Sequence, residues 1–376
     1  MKTVYLDNAA STQVLPEVFE AMKPYLTGVC GNPSGRHPAG RAEREAIEKS
    51  RQKIAEILNC APDEIYFTSG GTESANWAIK GAARSGKGRH IVTTAIEHPA
   101  VLSSCKALEV EGFDVTYIKP NNSGSVDAEK VISGIRSDTA LVSVMYANNE
   151  TGVIQPVGHI AAECRERGVP FFTDATQAAG SLPIDLRTLG ADMLALSGHK
   201  FHAPKGIGLL YIKNGTKICN LIDGGGQERG RRSGTENTAF AVGLCKALEL
   251  SAKESYMTEN ERKLRDKLIN GVLSAVPDSR LNGDGERLPG IVNFSFKGVE
   301  SEGLLLLLEA AGIYASAGSA CSSGQRKPSH VLAAMDVPDE YIFGSIRFSL
   351  CRYTTEEEIG RALAVLPGAV ARLRGL

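Results

Sequence analysis

Residues 193–200 read Met-Leu-Ala-Leu-Ser-Gly-His-Lys, a short apolar run followed by a polar turn that ends in a lysine. This pattern predicts a buried strand over the first four residues and a loop from Ser197 onward. A lysine just past a buried strand is partly desolvated, and desolvation lowers the pKa of an amine so that more of it is the free base that imine formation needs. Lys200 is therefore the candidate Schiff-base lysine, and the alternative is an ordinary solvated lysine.

Strand-like and helix-like segments alternate on both sides of this stretch. Amphipathic helical patterns separate further apolar runs at residues 65–67, 91–93, 115–118, 141–145, 171–173 and 208–212. Regular alternation of this kind predicts an α/β fold with a mostly parallel, seven-stranded sheet that has helices on both faces. Ligands bind such sheets beyond the C-terminal ends of the strands, so polar residues at those ends are the candidates for a site.

The pattern changes after a helix-rich stretch that runs from Thr238 to about Val276. Shorter strands then alternate with helices and predict a smaller α/β C-terminal domain. The strand-like N-terminus, Val4 to Leu6, is a candidate to join it. We expect a large domain over residues 15–255 and a small domain formed by residues 1–14 and 256–376.

Composition limits the classes of partner. The chain has 376 residues, 42% of them hydrophobic, a formal net charge of -1 and no long block of like charge. A nucleic-acid surface or a polybasic membrane patch is therefore disfavoured, and the longest apolar run, Leu304 to Leu308, is too short to span a bilayer. The N-terminus enters a strand pattern at once, unlike a secretory signal. We expect a cytoplasmic protein whose partners are small molecules and proteins.

The eight cysteines are scattered and form no Cys-x-x-Cys pair, which disfavours a zinc or iron-sulfur framework. No metal site is expected. Cys321 differs from the others because the rest of residues 315–324 are Gly, Ser and Ala. Such a segment predicts a poorly packed loop with an accessible thiol, and Cys30, also in a Gly-rich loop, is its rival.

Polar residues at other strand ends suggest an anionic cofactor. Gly71 and Thr72 open a helix whose N-terminal N–H groups can bind an anion, although Gly-Thr-Glu is also an ordinary helix start. Asp174 ends a strand, where it either holds a pyridinium nitrogen protonated or caps a helix. His98 ends another, where it is either structural or available for stacking and proton transfer. Arg347 lies inside a strand pattern, and its charge needs either a substrate carboxylate or an internal ion pair.

Together these motifs resemble the NifS/IscS-type cysteine desulfurases, which are pyridoxal 5'-phosphate enzymes of the class V aminotransferase family with fold type I. The resemblance extends from Tyr5-Leu6-Asp7-Asn8-Ala9-Ala10 to Arg347-Phe348-Ser349-Leu350, nearly the whole chain. It implies that Lys200 binds the cofactor and that His98 stacks on its ring and moves protons. Cys321 would accept sulfur as a persulfide, and the extended loop before Pro328 looks like the longer-loop IscS/NifS branch.

The resemblance implies roles for the remaining positions as well. Asp174 would face the pyridine nitrogen, and Gln177 would bond the ring hydroxyl. Thr235 would be lent to the phosphate of the partner subunit, which implies a homodimer. Asn149, which would also contact the cofactor, and Arg347 would bind the carboxylate of L-cysteine. The phosphate site within the chain would be formed by Gly71, Thr72, Ser197 and His199.

The implied reaction converts L-cysteine to L-alanine and leaves the sulfur on Cys321. A sulfur-acceptor protein such as an iron-sulfur scaffold would use it, as would tRNA thiolation or another thio-cofactor pathway. Selenocysteine lyase activity and a persulfide-free aminotransferase, which would tolerate loss of Cys321, are the enzymatic alternatives. A non-catalytic scaffold is disfavoured because Lys200 and Asp174 are intact, and a nicotinamide enzyme is disfavoured because no Gly-x-Gly-x-x-Gly opens a helix after the early strands.

Overall fold

The computed structural model describes residues 3–86, 88–254, 256–317 and 328–375, so the predicted persulfide residue Cys321 lies outside the described residues. The strands are β1 Val4–Tyr5, β2 Ile65–Thr68, β3 His90–Thr94, β4 Asp114–Ile118, β5 Thr139–Ser143, β6 Phe171–Asp174, β7 Met193–Ser197, β8 Gly208–Ile212, β9 Ser279–Leu281, β10 Ile291–Phe296, β11 Ile313–Tyr314 and β12 Ser345–Ser349. The helices are α1 Pro16–Thr27, α2 Pro38–Leu58, α3 Gly71–Ser85, α4 Pro99–Val110, α5 Ala128–Ser133, α6 Val157–Glu166, α7 Leu186–Leu189, α8 Thr238–Lys253, α9 Tyr256–Ala275, α10 Ser301–Ala310, α11 His330–Ala334, α12 Asp339–Ile342 and α13 Glu356–Leu373. Short 3-10 helices cover Pro62–Glu64, Gly198–Lys200 and Glu228–Gly230.

A seven-stranded sheet forms the centre of the larger part of the molecule, with the strand order β2-β8-β7-β6-β5-β3-β4. Strand β8 runs antiparallel to both β2 and β7, and the other neighbours are parallel. The predicted α/β fold with a mostly parallel, seven-stranded sheet is therefore confirmed.

The side chains of β7 show why the sheet is covered on both faces. Leu194 and Leu196 pack into one apolar cluster with helices α1, α2 and α8. Met193 and Ala195 pack into the cluster on the opposite face, which contains the fully buried Trp77 of α3. Because successive strand residues point to opposite faces, a continuous apolar run is what a doubly covered strand requires.

The smaller part of the molecule has its own sheet and core. Strand β10 lies between β9 and β12, antiparallel to both, and β1 pairs in parallel with β11. Phe294, Phe296 and Phe348 of this part pack with residues of α9, α10 and α13. The N-terminal strand thus joins the C-terminal third of the chain by backbone pairing, while the domain limits at residues 15 and 255 stay a prediction.

Two further classes of feature are absent from the part of the chain that the structure describes. None of its helices combines the length and the apolar character needed to cross a bilayer. No group of three or more His, Cys, Asp and Glu side chains in it is arranged to hold a metal ion.

Candidate active site

A cavity of about 290 Å³ lies where the carboxyl ends of β6 and β7 face β12 of the small sheet. It brings together ten of the twelve predicted site residues. These ten are Gly71, Thr72, His98, Asn149, Asp174, Gln177, Ser197, His199, Lys200 and Arg347. Of the other two, Thr235 lies elsewhere and Cys321 lies outside the described residues.

Lys200 ends the 3-10 helix that follows β7, and its side chain is desolvated as the sequence predicts. Its Nζ donates to the carbonyl oxygens of Ala9, at 2.6 Å, and Ala10, at 3.0 Å. Burial, reinforced by the positive charge of Arg347, lowers the pKa of Lys200 to about 8. A substantial fraction of this amine is therefore the free base near neutral pH.

Asp174 is the last residue of β6 and is buried. Its Oδ1 accepts a hydrogen bond from the backbone N–H of Thr176 at 3.0 Å, so it fixes a tight turn rather than capping a helix. Gln177 donates through Nε2 to the Ala9 carbonyl at 3.0 Å, the same oxygen that receives Lys200. Thr176 also lines the cavity, and its buried Oγ1 has no hydrogen-bond partner among the described residues.

The anion-binding end of the cavity is the N-terminus of α3. The N-cap residue, Gly70, has a φ of 149° and offers no side-chain cap, so the helix start is not the ordinary capped one. The first N–H groups of a helix have no intrahelical partner and attract anions. A Cβ at Gly71 would lie 2.9 Å from Oγ1 of Thr176 and 3.4 Å from Cβ of Ser197, so glycine keeps this end open.

His199 contributes a neutral imidazole to the same end of the cavity. Burial, together with the positive charges of Lys200 and Lys205, lowers the pKa of His199 to about 4. Its Nδ1 lies 3.4 Å from Oγ of Ser11. At neutral pH the ring thus has one N–H donor and one acceptor.

His98 combines a structural and a functional position. Its Nδ1 accepts the backbone N–H of Ala100 at 3.1 Å and so caps α4. In the neutral imidazole this contact leaves the proton on Nε2. His98 lines the cavity and is exposed there. Burial by the surrounding protein nevertheless lowers the pKa of His98. The charge of Asp174 opposes this shift, and the positive charges of Lys200 and His330 add to it.

Arg347 has an internal ion pair and an unused donor. Its Nη2 pairs with Oδ1 of Asp7 at 2.8 Å, and its Nη1 donates to the carbonyl oxygen of Asn149 at 2.9 Å. Its Nε and the Oδ1 of Asn149 are buried without a hydrogen-bond partner among the described residues. Of the two alternatives for Arg347, the ion pair is present, and the unpaired Nε is a donor that suits a bound carboxylate.

The sequence did not reveal two buried carboxyl groups next to the cavity. Glu97 precedes His98, is fully buried, and accepts hydrogen bonds at 2.8 Å from Oγ1 of Thr94 and from the N–H of Met145. Burial raises the pKa of Glu97 to about 8. The second, Glu150, lies one residue from another predicted site position. In the sequence, these two glutamates are distinguished only by standing next to a predicted site residue, and an exposed glutamate can stand there as well.

Thr235 lies on an exposed loop beside a different cavity, of about 130 Å³. The loop is held by Arg232, whose guanidinium pairs with the carboxylate of Glu73 in the first turn of α3 at 2.7 Å. A single chain therefore does not bring Thr235 into the cavity that contains Lys200.

The cavity fits pyridoxal phosphate in its chemistry. Lys200 offers an amine for the aldehyde, Asp174 a carboxylate for the ring nitrogen, and the open start of α3 an anion site for the phosphate. Thr176 and Asn149 also line this ligand-sized space, and Oγ1 of the first and Oδ1 of the second have no hydrogen-bond partner among the described residues.

The chain is similar in sequence and in structure to known proteins. Residues 4–362 match the aminotransferase class-V family. Cysteine desulfurase IscS of Methanosarcina thermophila is 51% identical over 381 residues, which cover 100% of this chain and 94% of that protein. The solved structure of a NifS-like protein superposes with a TM-score of 0.92 at 39% identity and covers both chains fully. The structure of SspA in complex with cysteine has a TM-score of 0.82 at 38% identity, covering 94% of this chain and 100% of the other.

The chain therefore belongs to the class-V aminotransferase family, and the predicted family and fold are confirmed. It is an enzyme that depends on pyridoxal phosphate, as the resemblance implied. The two full-length relatives are named cysteine desulfurase and NifS-like protein, in agreement with the predicted branch. The roles of the individual site residues stay predictions.

Proposed function

We propose that this chain is a cysteine desulfurase that converts L-cysteine to L-alanine and transfers the sulfur to Cys321. The observation that carries the proposal is the single cavity that combines Lys200, Asp174 and His98 with the carboxylate-binding candidates Asn149 and Arg347. The name of the IscS relative and the cysteine held in the SspA complex support the choice of substrate.

Bound pyridoxal phosphate supplies an electron sink that stabilises negative charge at the substrate Cα. In the proposed arrangement Lys200 attaches it, Asp174 pairs with the ring nitrogen, and Gln177 meets the ring hydroxyl. The phosphate is held at the start of α3. The phosphate-binding residues are Gly71, Thr72, Ser197 and His199.

Lys200 is the proposed base that takes the substrate α-proton on Nζ. Its pKa of about 8 supports this role, because an amine with an ordinary pKa would be almost entirely protonated at neutral pH. Before the cofactor binds, the Ala9 and Ala10 carbonyls keep Nζ at the cavity wall.

His98, which lines the same cavity as Lys200, is the proposed residue that stacks on the cofactor ring and moves protons. Because Nδ1 accepts the Ala100 N–H, the proton of the neutral ring is on Nε2, which is the ring nitrogen left for the substrate. The lowered pKa of His98 keeps the ring neutral at physiological pH, so Nε2–H donates a hydrogen bond in the resting site and the imidazolium forms only transiently while a proton is moved.

Arg347 and Asn149 orient the substrate through its carboxylate. Nη1 and Nη2 of Arg347 are already fixed by Asn149 and Asp7, so the guanidinium does not have to be ordered when substrate arrives. Its Nε is a donor that nothing else among the described residues uses.

The overall reaction balances without an external oxidant or reductant. L-Cysteine and the Cys321 thiol give L-alanine and a Cys321 persulfide. The C–S bond of the substrate breaks, an S–S bond forms, the terminal sulfur keeps one proton, and the alanine Cβ gains the other. The thiolate of Cys321 is the attacking species.

The same proposal includes a homodimer in which each subunit lends Thr235 to its partner's phosphate site. The exposure of Thr235 and its distance from the chain's own cavity support this arrangement. We further propose that the persulfide sulfur passes to an acceptor protein such as an iron-sulfur scaffold, and that the enzyme acts in the cytoplasm.

The test is alanine and sulfide release from L-cysteine with a reductant, measured for wild type and Cys321→Ala. We expect the variant to lose both products while its cofactor absorbance is unchanged. Cys30→Ala is the matched control, since Cys30 is the other thiol in a Gly-rich loop and is exposed, and it should leave both rates unchanged. Undiminished release by Cys321→Ala would overturn the assignment of the sulfur acceptor.

A further inference from the structure

Glu150 is a buried carboxyl group in the turn that carries Asn149. Its side chain accepts a hydrogen bond at Oε2 from Oγ of Ser329, and only 3% of the residue is exposed. Its backbone N–H donates to Oδ1 of Asn148 at 2.9 Å, so the turn itself is rigid. Glu150 is therefore held in a fixed place next to Asn149, the predicted substrate-binding residue.

The guanidinium of Arg347 is held beside this turn, because its Nη1 donates at 2.9 Å to the Asn149 carbonyl, which belongs to the peptide bond that precedes Glu150. Its positive charge acts electrostatically on the Glu150 carboxyl group. Ser329, which donates to the Glu150 side chain, is uncharged, and Nε2 of its neighbour His330 contacts the carbonyl oxygen of Glu97 at 2.9 Å. Arg347 is also paired with Asp7. One positive charge is thus shared by two carboxyl groups before any substrate arrives.

We propose that Glu150 is a positioning residue that controls the charge of the Arg347 carboxylate site, with its protonated form favouring the bound substrate carboxylate and its ionised form repelling it. This inference rests on the proposed function, because it takes Arg347 and Asn149 as the carboxylate site. With Asp7 and Glu150 both ionised, a bound carboxylate gives three negative charges around one guanidinium. A proton on Glu150 removes one of them.

Linkage makes this effect reciprocal. A carboxylate that binds more tightly when Glu150 is protonated must raise the affinity of Glu150 for its proton by the same factor. Burial, opposed by Ser329 and Arg347, raises the pKa of Glu150 to about 7, so both protonation states are accessible under physiological conditions. Binding of the substrate carboxylate is then accompanied by proton uptake.

The probe for the test is propionate, which has a carboxylate but neither the amine nor the thiol of L-cysteine. Its dissociation constant is measured by calorimetry on the holoenzyme between pH 6 and pH 8.5, and two buffers of different ionisation enthalpy give the number of protons taken up. For wild type we expect the dissociation constant to rise roughly 3- to 10-fold over this range, with net proton uptake near pH 7.

Glu150→Gln keeps the shape of the side chain and should abolish most of both effects. Glu261→Gln is the matched control, because Glu261 is also a buried acid whose pKa is raised to about 7, yet the arginine that acts on it is Arg352, which unlike Arg347 does not line the 290 Å³ cavity. This control should keep the wild-type pH profile.

Ser329→Ala is a second variant that moves the profile without removing the acid. Loss of the hydrogen bond that stabilises the ionised carboxylate should shift the rise in the dissociation constant to higher pH. Identical profiles for wild type and Glu150→Gln, or no saturable propionate binding to wild type, would overturn the proposal. Failure of the proposed function has a separate sign, the absence of alanine formation from L-cysteine by the wild-type enzyme.

Discussion

The two sides of the active-site cavity are built differently. On the cofactor side, Asp174 and Lys200 lie at or just past the ends of neighbouring strands, and burial rather than ion pairing sets the state of the lysine. On the substrate side, Arg347 is brought to Asp7 across 340 positions of the chain and is paired before any ligand arrives. The cofactor side thus depends on strand geometry and desolvation, and the substrate side on long-range charge compensation.

This difference predicts which property each side controls. On the cofactor side, burial lowers the pKa of Lys200 and so controls how reactive its Nζ is. On the substrate side, the ion pair with Asp7 fixes the orientation of the Arg347 guanidinium and so controls the affinity for a carboxylate. Variants on the two sides should therefore separate effects on chemistry and cofactor attachment from effects on KM.

The largest expected effect is that of Arg347→Lys on substrate binding. A lysine cannot keep both Asp7 and Asn149 and still offer a donor in the geometry of Nε. Loss of charge-assisted hydrogen bonds costs about 1.5–3 kcal/mol, so KM for L-cysteine should rise about 10- to 100-fold, with a smaller change in kcat. Steady-state kinetics of alanine formation measure both constants.

Arg352→Lys is the matched control for this substitution. Arg352 is another arginine with a shielded side chain, paired with Glu254, but it does not line the 290 Å³ cavity. It should change KM little. An equal rise in KM for both variants would show that Arg347 acts through stability of the small sheet and not through the substrate carboxylate.

A smaller effect is expected on the pH dependence of cofactor attachment. With a pKa of about 8, the free-amine fraction of Lys200 is about one tenth at pH 7 and about one half at pH 8, so the rate of loading the apoenzyme should rise about fivefold. Visible absorbance of the bound cofactor follows the reaction. Lys205→Gln should keep this rise, whereas a rate for wild type that is flat from pH 7 to pH 9 would contradict the desolvated state of Lys200.

The smallest effect concerns stability and Glu97. Because burial raises its folded-state pKa to about 8, the folded protein holds a proton between about pH 5 and pH 8 that the unfolded chain has released, and stability falls as pH rises through this window. Glu97→Gln removes this decrease. Relative to wild type, its Tm should therefore improve by about 2–4 °C from pH 5.5 to pH 8.

Scanning calorimetry of both proteins at the two pH values measures this difference. Glu166→Gln, a change at an exposed carboxyl on α6, is the control and should show no pH-dependent gain. A difference between Glu97→Gln and wild type that is the same at both pH values would show that Glu97 is already ionised in the folded protein.

The sequence predicted the cofactor side better than the substrate side for a physical reason. An apolar run followed by a polar turn marks a strand end locally, and the ends of parallel strands meet at one edge, so Asp174, Ser197 and Lys200 could be placed together without knowledge of distant contacts. The seven-stranded sheet followed from the same alternation.

The partners on the substrate side could not be predicted in this way. Nothing in the local pattern around Arg347 indicates Asp7, and nothing around Glu150 indicates Ser329, 179 residues away. Pairing across such distances depends on how β1, β11 and β12 assemble. Thr235 is a third case, since its predicted partner belongs to another subunit and a single chain cannot supply it.

The segment that contains Asn8 and Ala9 is held in place by a residue far along the chain. Asn8 donates through Nδ2 to the carbonyl of Ser349 at 2.9 Å, and the Ala9 N–H donates to the hydroxyl of the same serine at 2.8 Å. Ala9 in turn accepts Nζ of Lys200. Asn8 and Ala9 thus obtain their place only once Ser349, 340 residues after Ala9, has been made, so this wall of the cofactor pocket cannot form while only the preceding strands and helices exist.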